Sequence, residues 1–468
     1  MNKKITKKKT PAKRPALEIV KDAPLPPVST YPHRKILVVA HNHPELYPGG
    51  GEKLAYDLYR SMKASGNTTQ FLAATGKIMR DAHPGTPFLS LDGRKDEFLF
   101  FNDQFDYFMM SNRDLSFLYR DFADFLKEHQ PEIVHFHHLL RFGAEALRVV
   151  RDTLPEALIV FTLHDFLPMC HRDGQMLRTQ TNALCGSAAP ERCNSCFPEK
   201  SSARFKTREL FLKTHFDLVD AFISPSQFLA DRYVAWGLPP EKMHVIANGT
   251  QALAPAPHRT IADNGKRNRF GFFGQVSPFK GTLLLAEAAE HLKQSGETDF
   301  GIHIHGNIEL QNDAYKKEFA EKMAAVGAQA RFHGLYTAAD LPQLMREIDY
   351  AVVPSIWWEN SPLVIAEAFR HGRPVICGNI GGMAELVKDG INGLHFRVGD
   401  SQSLADVMRS AMQPSLWEKL AAGIMPPATV DQCAEQHLAL FNTSLGNKSE
   451  SAKAEFSEYE SLIALINS

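Results

Sequence analysis

The 468-residue sequence contains no run of about 18 consecutive apolar residues, so no membrane-spanning helix is expected. No apolar stretch follows its lysine-rich start, so no secretory signal is expected either. Excess charge of one sign is missing: 52 Lys and Arg stand against 53 Asp and Glu, a net charge of -1. Nothing in that balance draws the chain toward nucleic acid. No internal repeat is visible, which argues against a solenoid or propeller. Cysteine is sparse, with six in the chain, and only Cys377 and Cys433 lie apart from a cluster formed by Cys170, Cys185, Cys193 and Cys196. A cytoplasmic chain is the expectation.

What is present is ordinary for a globular protein of two or three domains: 44% apolar, 22% charged and 10% aromatic residues. Residues 1–30 are the exception. Lys3, Lys4, Lys7, Lys8, Lys9, Lys13, Arg14 and Lys21 are met by few acids, and Pro11, Pro15, Pro24, Pro26 and Pro27 punctuate the segment. It cannot bury an apolar face and reads as a disordered basic tail. Two roles are open for it: a solvated leader, or peripheral contact with anionic lipid at the inner face of a membrane.

From Arg34 onward strands alternate with helices. Lys35–Ala40 is a short β-branched run that reads as a buried parallel strand. A Gly- and Pro-rich loop follows, then helical spacing through Leu54, Leu58 and Met62. Further strands are predicted at 133–136, 157–162, 221–224 and 244–246, with helices at 115–128, 143–150 and 202–215. The alternation predicts an α/β fold with a parallel sheet over residues 31–250. Residues 251–268, with Pro255, Pro257 and Gly265, read as a linker. A second α/β series occupies 269–430, with strands at 270–273, 301–305, 330–333, 350–353 and 374–377 and helices at 282–295, 341–347 and 362–371. Residues 431–468 form a helical segment whose last part, from Ser449, reads as an amphipathic helix of its own. Two doubly wound domains in tandem leave a cleft between them, and ligands of such sheets bind at the carboxyl ends of the strands.

The segment PSIWWENSPLVIAEAFRHGRPV, from Pro354 to Val375, carries the most specific chemistry. Ser361 is expected to cap a helix and Pro362 suits its first turn. The start of that helix carries a partial positive charge suited to an anion or a hydroxyl-rich ligand. Glu359 and Glu367 are either ordinary helix-start and surface glutamates or a pair of carboxylates that accept hydrogen bonds from sugar hydroxyls. The cysteines, spaced C-x14-C-x7-C-x2-C, are either four reduced thiols in a loop or a structural tetrahedral zinc site that stiffens it.

The segment resembles the E-x7-E signature of the retaining glycosyltransferases of family four. Upstream, Arg331-Phe332-His333-Gly334, Asp340-Leu341 and Asp349 fit the family's approach to that motif; downstream, Gly372, Pro374, Gly381-Gly382, Glu385 and Gly390–Gly393 continue it. The resemblance spans roughly residues 34 to 440 and is strongest over 267–397. It implies a GT-B fold, two Rossmann-like domains facing a cleft, and a nucleotide-sugar donor with no catalytic metal. Glu359 would meet hydroxyls of the donor sugar. Glu367 would hold the ribose. Asn360, Ser361, Pro362 and Leu363 would meet the diphosphate or the sugar, and Lys280, in the loop beginning at Gly274, would bind the diphosphate. A fixed cation there stabilises charge building on the leaving group. In the first domain, Gly50 and Gly51 belong to a segment, Pro48–Glu52, that resembles the family's first Gly-rich loop. His164, ranked above His137 and His138, would position the donor sugar.

One position departs from the family: Gln275 stands where an arginine often pairs with the lysine, so half of a positive clamp is missing. Arg34, Arg172 and Arg370 are the candidate replacements. The resemblance implies a hexosyltransferase-type enzyme with a glycan or lipid-linked acceptor, in surface polysaccharide or glycoconjugate assembly, with no nucleic-acid partner. Two rivals stand beside it: another GT-B activity, such as an inverting transferase or an epimerase, and a non-catalytic nucleotide-sugar-binding protein of the same fold.

Overall fold

The computed structural model describes residues 31–466 apart from Pro48, 78–86, 116–117 and 262–264, with side chains described up to Ser449. The basic tail of residues 1–30 therefore lies outside the described residues.

Ten strands belong to the first half: β1 (Lys35–Ala40), β2 (Thr68–Thr75), β3 (Phe88–Ser90), β4 (Glu97–Phe101), β5 (Phe105–Asp106), β6 (Ser111–Asn112), β7 (Ile133–Phe136), β8 (Leu158–Thr162), β9 (Ala221–Ser224) and β10 (Met243–Val245). Eight of them form one sheet in the order β10-β9-β8-β7-β1-β2-β4-β3, parallel except for β3. Short strands β5 and β6 pair separately. The second half contributes β11 (Arg269–Phe273), β12 (Gly301–His305), β13 (Ala330–Gly334), β14 (Tyr350–Val353), β15 (Val375–Gly378) and β16 (Gly393–Phe396). They form an all-parallel sheet in the order β13-β12-β11-β14-β15-β16. These two α/β sheets make a GT-B fold.

Burial explains the strand sequences. Ile36 to Ala40 are at most 1% exposed, because helices cover both faces of the sheet and no alternation with polar residues is needed. Two apolar clusters flank each sheet. Each sheet has one point where strand order reverses, between β1 and β7 in the first and between β11 and β14 in the second. Loops leaving the carboxyl ends at such points are where these folds bind ligands. Gly274–Gly281 leaves β11 and Pro354–Pro362 leaves β14, so the most informative sequence segments converge on the second reversal point.

Several details differ from the sequence-based expectations. The expected helix 115–128 is a π-helical turn at Leu118–Phe122 followed by an α-helix at Ala123–His129. Strands β2, β4 and β16 and the helix Asp313–Val326 were not anticipated. The proline-rich segment is partly packed: buried Arg373 holds the carbonyls of Ala256 and Pro257 at 3.3 and 2.6 Å, so its start clings to the second domain. No separate helix starts at Ser449. One helix runs from Val430 to Ile466. Its first turns place Cys433, Ala434, Leu438 and Phe441 in the core beneath the first sheet, and Ser61 donates to Asp431 at 2.6 Å. The chain thus crosses twice between the domains, and the crossings pair at Thr250 and Thr429.

Candidate functional site

A cavity of about 400 Å³ opens between the two domains. From the first domain it is lined by Gly50, Gly51, Leu54, His164 and Asn248. From the second come Phe273, Gly274, Lys280, Tyr336, Ser361, Pro362, Leu363, Val364 and Glu367. Nine of the residues picked from the sequence are in that wall. Glu359 and Asn360 sit behind it.

Three helices begin around this cavity, and none has a side-chain cap. Gly50–Ala64 starts after Gly49, Thr282–Gln294 after Gly281, and Leu363–Arg370 after Pro362. Ser361 was expected to cap the last of these. It does not: Pro362 occupies the cap position, and the Ser361 carbonyl faces Asn248 Nδ2 at 3.5 Å. Proline offers no side-chain acceptor, so the helix start stays available to a ligand. Gly281 is held at φ +70, and a Cβ there would overlap the carbonyl of Pro354. Gly281→Ala is therefore expected to cost about 2 kcal/mol or more, from left-handed backbone strain plus the overlap, read by urea denaturation.

Lys280 projects from the same loop to Glu359, with Nζ 2.7 Å from Oε1. Ser355 Oγ and Trp357 Nε1 donate to that oxygen at 2.7 and 2.8 Å. Glu359 is 7% exposed. Burial opposes its ionisation, yet the Lys280 charge and the three hydrogen bonds hold its carboxyl below the ordinary range. Glu367 is the opposite case. Burial pushes its carboxyl up, against a weaker pull from Lys53. One carboxylate of the pair is favoured in its charged form beside a lysine, and burial holds the other back from ionising.

On the first-domain side, His164 accepts or donates one hydrogen bond to His137 Nδ1 at 2.9 Å, and its carbonyl accepts from Asn360 Nδ2 at 2.9 Å. Asn360 thus ties the two domains together at the site. Burial, with help from His138, pushes His164 down to about 4, so its ring is neutral at neutral pH. Glu52, in the first turn of the Gly-rich helix, pairs with His41 at 2.8 Å, and Asp165 with His138 at 3.2 Å. For Glu52 burial works against ionisation, but His41 and Asn42 outweigh it and bring the carboxyl to about 2. The sequence reading missed Leu54, Asn248, Phe273, Tyr336 and Val364 as wall residues. For Asn248 and Phe273 the available signal was their position at predicted strand ends.

The structure brings the four cysteines near one another, with Cys193 in electrostatic reach of Cys170, Cys185 and Cys196. All four are free thiols, and among the described residues no group of three or more His, Cys, Asp or Glu side chains is placed to hold a metal ion. Several side chains fix the loop, among them Thr179, whose Oγ1 donates to the Cys196 carbonyl at 2.8 Å. Cys185 gives its carbonyl to Trp358 Nε1 at 3.1 Å, and Arg232, which hydrogen-bonds the Gly186 carbonyl, lies 4.7 Å from the Trp358 ring. Of the arginines considered for the missing clamp, Arg34 is engaged with Glu132 and Asn442, and Arg370 with Thr250 and the Pro427 carbonyl. Arg172 reaches the donor-side loop, 5.6 Å from the Phe279 ring.

Residues 48–252 match the family model described as Glycosyltransferase Family 4, and residues 267–413 match that described as Glycosyl transferases group 1. The chain belongs to the family-four glycosyltransferases. Among family relatives, the UDP-Gal:alpha-D-GlcNAc-diphosphoundecaprenol alpha-1,3-galactosyltransferase of Escherichia coli is 32% identical over 178 residues, which cover 36% of this chain and 45% of that protein. A D-inositol 3-phosphate glycosyltransferase of Salinispora arenicola is 27% identical over 235 residues, covering 46% of this chain and 49% of that protein. The chain thus spans about half the length of these relatives. Two solved structures share the fold. A glycosyltransferase from Rickettsia africae superposes with a TM-score of 0.60 at 17% identity, covering 89% of this chain and 100% of its own. Anabaena Alr3699/HepE, solved with UDP and glucose, gives 0.54 at 20% identity, covering 90% and 100%. No helix among the described residues is long and apolar enough to cross a membrane.

Proposed function

We propose that this family-four member is a retaining glycosyltransferase that moves a sugar from a nucleotide-sugar donor to a glycan or lipid-linked acceptor. The observation that carries the reading is the convergence of three uncapped helix starts and Lys280 on one interdomain cavity. Oriented amides and a cation together suit a diphosphate. HepE, of the same fold, was solved with UDP-glucose, which supports a sugar nucleotide as the occupant.

In this reading the diphosphate lies against Lys280 and the amides of Leu363 and Val364, with Ser361 and Pro362 beside it. Glu367 accepts from ribose hydroxyls. Glu359, fixed by Lys280, faces hydroxyls of the donor sugar through its second oxygen. His164, neutral, places that sugar, and Gly50 and Gly51 let backbone approach it. The bond between the anomeric carbon and the phosphate oxygen breaks, and the electron pair leaves with the nucleoside diphosphate. The acceptor oxygen bonds to the same face of the sugar, and its proton passes to the departing phosphate oxygen. Lys280 and the helix starts stabilise the charge that develops there. The E. coli relative's name specifies a diphosphoundecaprenol acceptor, which favours glycan assembly on a lipid carrier.

A thermal-shift panel of UDP-, GDP- and ADP-sugars, followed by nucleotide release, tests this. One nucleotide class is expected to raise the melting temperature by several degrees, since ligand at 100 times Kd adds about 2.7 kcal/mol. The same class should be turned over. No shift and no release with any member would defeat the reading.

A further inference from the structure

A second cationic cluster lies beside the donor loop, and the proposed donor chemistry does not use it. Its centre is Phe108, 6% exposed, just after β5. Three cations ring this side chain: Lys200 Nζ at 5.3 Å, Arg204 Cζ at 5.3 Å and Arg208 Cζ at 5.9 Å from the ring centroid. His171 meets the ring edge at 5.0 Å. The next residue, Arg172, is the one over Phe279, which immediately precedes Lys280. The cluster therefore adjoins the donor loop from the first-domain side, where an acceptor must approach.

These cations are short of counter-charge. Arg208, 3% exposed, spends its guanidinium on three carbonyls, those of Phe108, Leu167 and Pro168. Arg172 donates to the Arg178 carbonyl and to Asn182 Oδ1, both neutral. Among the described residues Arg204 has neither an ion pair nor a side-chain hydrogen bond. Lys200 has Glu199 at 3.4 Å, and that carboxylate is 61% exposed. His171 is held below its ordinary value first by burial and then by Arg208 and Lys200, with Asp173 and Glu199 opposing. Lys200 and Arg204 also flank the start of the helix Ser202–Phe216, whose dipole adds to the field.

We propose that Lys200 and Arg204, backed by Arg208 and Phe108 and continued by Arg172, form a subsite for a phosphate group carried by the acceptor. This rests on the glycosyltransferase reading and deepens it: the acceptor is a phosphate or diphosphate ester. The Phe108 ring holds Lys200, Arg204 and Arg208 in place, and a phosphate would have to displace only the exposed Glu199 carboxylate from Lys200. A reaction that installs phosphate or diphosphate on the acceptor must then precede this one.

The test uses the full-length protein with its donor site filled by saturating nucleoside diphosphate, so that added phosphate cannot bind at Lys280. Geranyl diphosphate is titrated calorimetrically against the wild type, the Lys200→Gln/Arg204→Gln double variant, and Lys206→Gln, an exposed control on the same helix. The double variant is expected to bind about 10- to 100-fold more weakly, the loss of charge-assisted contacts. Lys206→Gln should match the wild type, and geraniol should not bind. Donor hydrolysis and the nucleotide-induced thermal shift should be unchanged in the double variant, which separates failure of this subsite from failure of the donor site. Equal affinity of wild type and double variant for geranyl diphosphate would overturn the proposal. So would binding to phosphatidylglycerol vesicles with none to the soluble diphosphate, because the cluster would then read a lipid surface.

Discussion

Lys280→Met is expected to lower turnover of the nucleotide sugar by about 10²- to 10³-fold, the usual consequence of removing one preorganised partner of a developing negative charge. The lysine stands where three helix starts meet, and among the residues lining the cavity it is the only Lys or Arg. Gln275 is neutral, and Arg172 reaches the same loop only over the Phe279 ring, outside the cavity wall. The substitution also acts on the fold. Glu359 would remain buried with only Ser355 and Trp357 as donors, and its carboxyl would lose the charge that keeps it ionised. The pair is only partly buried, with the Lys280 side chain 30% exposed, so breaking it from one side costs less than a fully buried pair would, about 2–3 kcal/mol. A drop in thermal stability should therefore accompany the drop in turnover, and Lys280→Met/Glu359→Gln should recover much of the stability while leaving turnover low. Single-turnover donor hydrolysis and denaturant titration read the two effects separately. Full turnover in Lys280→Met would remove the lysine from the chemistry.

Acid should weaken the fold well before its carboxylates titrate. Behind His164 lies a set of imidazoles: His135, His137 and His437, each at most 2% exposed, with ring centroids 4.2 Å apart for His135 and His137 and 5.5 Å for His135 and His437. Burial depresses all of them, and His437, like His164, sits at about 4. The folded state thus keeps these rings neutral while the unfolded chain protonates them below about 6.5. Stability is full above the unfolded value and is lost as pH falls toward the folded one. Between pH 6.5 and 5 each fully shifted ring loses about 2 kcal/mol, at about 1.36 kcal/mol per pH unit. His437 and His164 together account for about 3 kcal/mol or more, with His164 counted at less than its full share because the residue is partly exposed. His135 and His137 add in the same direction. The depressed Glu52 and Glu359 carboxyls lose their contribution only as pH falls through the ordinary carboxylate value, below this window. The raised Glu367 carboxyl works the other way, gaining stability as pH falls, and offsets part of the histidine loss. Urea denaturation from pH 7.5 to 5 should show a steep fall, shallower by about one proton in His437→Phe. A flat profile would contradict the buried, neutral cluster.

Much of this was legible in the sequence because the relevant signals are local. The run Lys35–Ala40 is apolar without alternation because both its faces are covered, and Ala221–Ser224 and Gly301–His305 coincide with their predicted strands. The Glu359–Glu367 spacing marked a loop and helix start that the structure sets at a strand-order reversal. What was not legible depends on contacts between distant segments. Whether Glu359 would pair with Lys280, 79 residues away, is not encoded in the spacing of either segment. The Asn360 bond to the His164 carbonyl spans 196 residues. Trp358 looks like one more apolar residue until Cys185 and Arg232 are seen around it. Cysteine spacing left a metal and four reduced thiols both open, and it does not encode the tertiary contacts that bring Cys193 within electrostatic reach of Cys170, Cys185 and Cys196. The long helix from Val430 hid its continuity because its first turns pack against the first sheet while its later part was read by composition alone.

The central claim is that the interdomain cavity holds the nucleoside diphosphate of a sugar donor. Calorimetric titration of the nucleoside diphosphate found in the sugar-nucleotide panel, against wild type, Lys280→Met and Glu367→Ala, tests it most directly. Each variant should bind about 10- to 100-fold more weakly, one losing a charge on the diphosphate and the other hydrogen bonds to the ribose. Wild-type affinity in both variants would place the nucleotide elsewhere and contradict the account.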